Sequence, residues 1–200
     1  LVWLASDQGL YYSSNGGVNW QQLLTGIFQE IEIKPDNPDI MYAVKQINNR
    51  TEFYKSEDGG INFIKKGIGW PDPSGIPGTP EQKRTEIATT PANPNLIYAF
   101  ATGVANGGSG LYGIYRSTDA GENWAFMCCG EGPGGVPNED DNKNLCAWSD
   151  EGEDDGGQYY YDLALDVSSK DGSKLFAGAV NLWISTDSGN DFTCPSKWSP

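Results

Sequence analysis

One eight-residue pattern recurs four times along this chain: SSNGGVNW at 13–20, SEDGGINF at 56–63, STDAGENW at 117–124 and STDSGNDF at 185–192. A chain written in a repeated unit is restricted to architectures that stack that unit. Each copy reads Ser, any residue, Asp or Asn, any, Gly, any, any, aromatic. The lead-ins are also alike: Leu10-Tyr11-Tyr12, Phe53-Tyr54-Lys55, Ile114-Tyr115-Arg116 and Leu182-Trp183-Ile184. An apolar residue, an aromatic and a variable residue before Ser describe a strand entering a turn. Ser13, Ser56, Ser117 and Ser185, with Asn15, Asp58, Asp119 and Asp187, bring side chains that hydrogen-bond turn amides. Gly17, Gly60, Gly121 and Gly189 permit positive φ. Trp20, Phe63, Trp124 and Phe192 can fold back over the turn. The pattern is therefore expected to be structural, its aspartates turn-formers rather than catalysts.

A second repeat precedes the first. Pro35-Asp36-Asn37-Pro38-Asp39-Ile40-Met41-Tyr42-Ala43 matches Pro91-Ala92-Asn93-Pro94-Asn95-Leu96-Ile97-Tyr98-Ala99, and Ser169 to Ala177 is a worn copy. An alternating apolar stretch leads into each (Ile31 and Ile33; Ile87 and Thr89; Leu165 and Val167). One unit thus reads strand, Pro/Asn turn, strand, variable loop, strand, Ser-x-Asp turn, strand. Four antiparallel strands per unit describe a blade of an all-β propeller. The near-continuous apolar character of the inner strands suits a sheet packed on both faces.

These motifs resemble the Asp-box, or BNR, repeat of sialidase-like, sortilin-like and xyloglucanase-like β-propellers, over nearly the whole chain. Asn15 replaces Asp, and Phe63 and Phe192 replace Trp, all mild departures. Gln158 to Val167, followed by Ala177 to Ser185, resembles the large secreted bacterial propellers exported by the type IX pathway. The resemblance implies a secreted or cell-surface protein.

The register places Leu4 where Tyr42 and Tyr98 fall, so the chain opens on the second strand of a blade. About three and a half blades are expected, with blade segments 1–26, 27–67, 84–127 and 158–194 and inserted loops 68–83 and 128–157. A propeller closes with more blades, so the remaining blades of a longer chain are expected partners. No segment is long and apolar enough for a membrane helix, so no membrane insertion is expected.

Net charge is −14, from 27 acidic and 13 basic residues, with no His. A surface this acidic argues against nucleic acid as a partner. The absence of His removes His-based triads and His metal sites from these 200 residues. Cys128, Cys129, Cys146 and Cys194 match no zinc spacing. Grouped around one loop, they are disulfide candidates of an oxidising compartment, with free thiols the alternative. Adjacent Cys128 and Cys129 are expected to bond elsewhere rather than to each other. Asn49-Arg50-Thr51 has the form of a glycosylation sequon.

Function is sought where the repeats differ. The Pro/Asn turn and the Ser-x-Asp turn lie on one face, and both are short. The second connection of each blade and the links between blades lie on the other face and carry every long insertion. Long loops gathered on one face of a rigid scaffold are where binding sits. One such loop runs Ile68-Gly69-Trp70-Pro71-Asp72-Pro73. Another, Gly130 to Gly157, carries Glu139, Asp140, Asp141, Trp148, Asp150, Glu151, Glu153, Asp154 and Asp155 before Tyr159-Tyr160-Tyr161. Aromatic faces beside carboxylates suit a carbohydrate ligand. Trp70, Asp72, Trp148, Asp150, Tyr159 and Tyr160 are the candidate binding residues. Set against that, the favoured reading for Trp70 and for Trp148 taken singly is that each pins a long loop to the blades. Asp150, Glu153, Asp154 and Asp155 are candidate oxygen ligands for Ca²⁺, but they lack EF-hand spacing, and a solvated acidic loop is the favoured reading. No other cofactor is expected.

The leading reading is a non-catalytic propeller that presents one loop face to a glycan or protein. The alternatives are a glycoside hydrolase and a sortilin-like peptide receptor. Sialidase activity would require an arginine cluster, and the chain holds only Arg50, Arg84 and Arg116. A xyloglucanase-like enzyme would need two carboxylates facing across a cleft. Asp72, Asp150 and Asp162 are available, but no two of them can be paired from sequence.

Overall fold

The computed structural model describes residues 1–72, 81–104, 110–130, 143–154 and 156–196. Among these, fifteen strands form four antiparallel sheets, and no helix occurs. The first sheet has three strands, β1 (Val2–Ala5), β2 (Gly9–Ser13) and β3 (Gln21–Thr25), in that order. The second contains β4 (Ile27–Ile33), β5 (Met41–Ile47), β6 (Arg50–Ser56) and β7 (Ile64–Lys66). The third contains β8 (Glu81–Thr89), β9 (Ile97–Val104), β10 (Gly110–Ser117) and β11 (Ala125–Cys128). The fourth contains β12 (Ala164–Val167), β13 (Leu175–Gly178), β14 (Leu182–Ser185) and β15 (Thr193–Ser196). Every sheet is an up-and-down meander in chain order, as a propeller blade is.

The repeated turns form the same lattice each time. The Ser hydroxyl accepts the amide of the Gly at 2.8, 3.0, 2.9 and 3.0 Å in turn. It donates to the Asn or Asp oxygen at 3.0, 2.7, 2.9 and 2.8 Å. That oxygen then accepts the amide of Asn19, Asn62, Asn123 or Asp191. Two consecutive residues adopt positive φ in every copy: Gly16-Gly17, Gly59-Gly60, Ala120-Gly121 and Ser188-Gly189. The turn is then tied to the Pro/Asn turn of its own sheet by Gly59 N to Asp39 O, Ala120 N to Asn95 O and Ser188 N to Ser173 O, each 2.9 Å.

The core consists of three seams between successive sheets. Leu10, Phe28, Met41, Ala43 and Phe63 fill the first seam. Tyr42, Phe53, Trp70, Ile97, Tyr112 and Trp124 are in the second, and Tyr98, Phe100, Ile114, Leu175, Trp183 and Phe192 in the third. The turn glycines are required here for space as well as for φ. A Cβ on Gly60 would collide with the Trp3 indole and the Met41 sulfur. One on Gly121 would lie 2.5 Å from Phe53 Cε1. The closing aromatic is buried in the last three copies, but Trp20 is 41% exposed on the first sheet.

The second sheet departs from the expected loop pattern. Its middle strands run on to Ile47 and Arg50, joined by a two-residue hairpin in which Asn48 has φ 53°. The extra residues there lengthen strands instead of building a loop, and Asn supplies the left-handed turn.

Candidate functional site

The link from the third sheet to the fourth builds most of the loop face. Asn144 is its hub: its Oδ1 accepts the amides of Leu111 and Cys146, and its Nδ2 donates to the carbonyls of Asp154 and Gly156. Buried Asn181 donates to the carbonyls of Ala147, Trp148 and Ser149 at 3.1, 3.2 and 3.1 Å. Leu145, Cys146 and Ala147 are fully buried, the first two in the third seam. This loop is thus clamped, and it presents Trp148 45% exposed. Further on, Thr102 Oγ1 donates to Tyr159 O at 2.7 Å, and an Arg84 terminal nitrogen donates to Tyr160 O at 2.8 Å. The Tyr160 and Tyr161 rings, 41% and 79% exposed, meet edge to face at 5.0 Å. Trp148, Tyr160 and Tyr161 are therefore open aromatic surface on rigid backbone. Asp150 and Tyr159 are half-buried.

Trp70 is different. Only 9% exposed, it inserts between Phe53 and Trp124, with ring centroids 5.2 and 4.8 Å away. Its indole N–H donates to Thr51 O and Thr51 Oγ1 at 3.1 and 3.3 Å. Trp70 is therefore not exposed binding surface, as its place among the candidate binding residues required; it is the plug of the second seam, in line with the loop-pinning alternative. The polar cluster beneath it (Thr51, Gln82 and Thr85) is buried and mutually hydrogen-bonded. Asp72 is exposed at the end of that segment, and Pro73 lies outside the described residues.

The disulfide expectation is also corrected. Cys128 and Cys129 are bonded to each other, where Cys129 takes φ 71° and turns the chain at the end of β11. Cys146 is buried in the third seam, which drives its thiol pKa up by desolvation. Cys194 is half-buried, its Sγ 3.5 Å from Ser196 O.

Of the Ca²⁺ candidates, Asp154 is committed to the loop, its Oδ2 accepting Ser149 N at 2.7 Å. Asp155 lies outside the described residues, as do Glu139, Asp140 and Asp141. Among the described residues no group of three or more His, Cys, Asp or Glu is arranged to hold a metal.

A set of carboxylates on the innermost strands has no counterpart in the sequence-derived candidates. β4 packs on β8 and β8 on β12, so these first strands share one inner edge. Glu30 and Glu32 on β4, Glu86 on β8 and Asp166 on β12 approach one another there. Burial first, then the Glu86 carboxyl and the neighbouring Glu32, push Glu30 up to about 9, and burial raises Glu32 as well. Arg84 Nε binds Glu86 Oε1 at 2.5 Å. Arg84 thus connects the inner edge to the Tyr160–Tyr161 backbone. Charged residues interrupting the alternation of an innermost strand were the available signal.

On the opposite face, a hollow beside the second turn is lined by Lys55, Glu57, Asp58, Asn62, Ile64 and Lys66. Lys55 meets Glu57 and Glu122 at 3.2 and 2.9 Å, and Lys66 meets Glu122 at 3.1 Å. These ion pairs clamp the second sheet to the third.

No protein-family profile matches the chain. A xyloglucanase from a Paenibacillus species is 31% identical over 129 residues, which are 64% of this chain and 11% of that protein. Among solved structures, the GH74 xyloglucanase from Xanthomonas campestris superposes with TM-score 0.60 at 16% identity, covering 98% of this chain and 29% of that one. The GH74 enzyme from Niastella koreensis gives 0.56 at 19% identity, with 96% and 27% covered. An ancestral GH74 enzyme gives 0.57 at 16%, with 95% and 22% covered. The chain spans about a tenth of the curated relative's length and less than a third of each of these structures, and with those structures it shares the β-propeller fold.

Proposed function

We propose that this chain forms blades of a secreted, xyloglucanase-like glycoside hydrolase and holds the glycan on its loop face. The observation that carries the reading is the 31% identity to a xyloglucanase over 129 residues. It moves the balance from a non-catalytic propeller toward the hydrolase. The loop face supports it: Trp148, Tyr160 and Tyr161 offer exposed rings on clamped backbone, with Asp150 in the same loop as Trp148. Aromatic surface with few placed polar groups is what a sugar chain requires of a protein.

In this reading the four turns are Asp boxes, which hold the opposite face and take no part in binding. Further blades cover the first sheet, where Val2, Leu4, Val18 and Trp20 are exposed, and supply the catalytic carboxylate pair. Export to the cell surface, by a type IX route, belongs to the same reading.

The test is a hydrolysis screen of the full-length protein on xyloglucan, mixed-linkage glucan and cellulose, with reducing ends measured. Release from xyloglucan is expected. Binding to xyloglucan without release would return the protein to the non-catalytic reading. Neither binding nor release on any glucan would remove the hydrolase reading and the glucan-binding one.

A further inference from the structure

The first of the four turns carries Asn15 where the other three carry Asp58, Asp119 and Asp187. Asn15 Oδ1 accepts the Ser13 hydroxyl at 3.0 Å and the Asn19 amide at 2.9 Å, as an aspartate oxygen does in the second and third turns. The backbone donor fixes which side-chain atom of Asn15 is the oxygen. Its Nδ2 therefore stands in for the second carboxylate oxygen. In the second and third turns that second oxygen accepts a side-chain amide from four residues on: Asn62 Nδ2 donates to Asp58 Oδ2 at 2.6 Å, and Asn123 Nδ2 to Asp119 Oδ2 at 2.7 Å. Asn19 is the matching residue in the first turn, but an amide nitrogen cannot accept from it. Asn15 is also followed by glycine and is exposed. Asp58, Asp119 and Asp187 are exposed as well, with a sheet packed before each of theirs, so a preceding sheet leaves this position open. The space beside Gly16 is empty: a Cβ there would meet no atom within 4 Å beyond its chain neighbours.

We infer that Asn15 is a self-modification site: the chain converts it to aspartate, and the product completes the first turn. The Gly16 peptide nitrogen loses its proton to a solvent base and attacks Asn15 Cγ, closing a five-membered succinimide. The two donors on Oδ1 stabilise the negative charge which that oxygen gains in the tetrahedral intermediate. The Cγ–Nδ2 bond breaks, and the nitrogen takes a proton from water and leaves as ammonia. Water then opens the ring. Addition at Cγ restores the main chain with aspartate at 15, which offers Asn19 Nδ2 the acceptor found in the second and third turns. Addition at the main-chain carbonyl leaves isoaspartate, whose extra backbone carbon breaks the spacing of the Ser13, Gly17 and Asn19 bonds. Glycine at 16 leaves the attacking nitrogen free of a neighbouring side chain. Asn19, Asn62 and Asn123 lack that freedom, being followed by Trp20, Phe63 and Trp124.

The experiment is incubation of the intact folded chain at mildly alkaline pH, with a synthetic peptide of residues 11–20 alongside as a reactive standard. Samples are digested and mapped by mass spectrometry, with aspartate and isoaspartate separated by chromatography. The expected result is conversion at Asn15 with aspartate as the main product, while Asn19, Asn62 and Asn123 remain amides. Urea unfolding supplies the second readout. Asn15→Asp is expected to make the unfolding constant about fivefold smaller than that of the fresh chain, and the incubated chain is expected to move toward the same value. Adding Asn19→Ala is expected to abolish that gain. Asn15 still amidated when the peptide has converted, isoaspartate as the main product in the folded chain, or an Asn15→Asp chain no more stable than the fresh one overturns the inference.

Discussion

At the scale of single residues, the repeated turn is a contest between backbone strain and hydrogen bonding. Each copy holds two successive left-handed residues, and the Ser and Asp side chains compensate by satisfying three or more amides. Asp58 shows the electrostatic side: hydrogen bonds from the Asn62 amide and side chain, and from Ser56, hold its carboxyl down to about 2. A depressed carboxylate stabilises above its ordinary 3.8, and that contribution is lost as pH falls toward about 2. Asp119 makes the same bonds, so Asp119→Ala is expected to cost about 1–2 kcal/mol in urea unfolding at neutral pH, with glycan binding unchanged. Ser188 sits at φ 67° where the first two copies have Gly. Ser188→Gly is therefore expected to gain up to ~1 kcal/mol, relief of strain outweighing added chain entropy. Gly121→Ala runs the other way: its Cβ would press on the Phe53 ring, and a loss of more than ~2 kcal/mol is expected from the same measurement.

At the scale of elements, the residues that hold the seams matter most. Trp70 bridges two sheets through Phe53, Trp124 and Thr51. Trp70→Ala should cost about 3–5 kcal/mol, seen as a lowered unfolding midpoint, because it empties a packed site and strips Thr51 of its donor. Asn181→Ala should instead act locally, raising amide hydrogen exchange across 144–158 while the sheets stay protected. The turns were legible in the sequence because their bonds close within eight residues, so spacing alone carries them. Trp70 was not, because its partners lie in β6 and in the turn before β11, and a Trp in a Pro-rich stretch reads the same whether buried or free. Trp148 comes out 45% exposed, in a loop whose backbone Asn144 and Asn181 hold. The vicinal Cys128–Cys129 bond was hidden because it depends on the left-handed turn at Cys129. Glu30 and Glu86 were missed because alternation tells which face a residue occupies, and not which other strand that face meets.

At the scale of the molecule, structure and charge divide the two faces. One face is tied by repeated short turns and by the Lys55–Glu122–Lys66 clamp. The other carries the long link between the third and fourth sheets, with its open aromatic rings. A net charge of −14 suits a neutral ligand such as a glucan chain better than a polyanion. In the proposed reading the relation to a xyloglucanase points to the chemistry of that ligand, and the loop face carries Trp148, Tyr160 and Tyr161 exposed.

Titration of the protein with a xyloglucan oligosaccharide by isothermal calorimetry, comparing wild type with Trp148→Ala and Tyr161→Ala, tests that placement most directly. The account predicts saturable binding, weakened about tenfold or more by each substitution, with unfolding midpoints unchanged. Undiminished binding in both variants, or binding lost only when the box-side residues Lys55 and Lys66 are replaced, would contradict it.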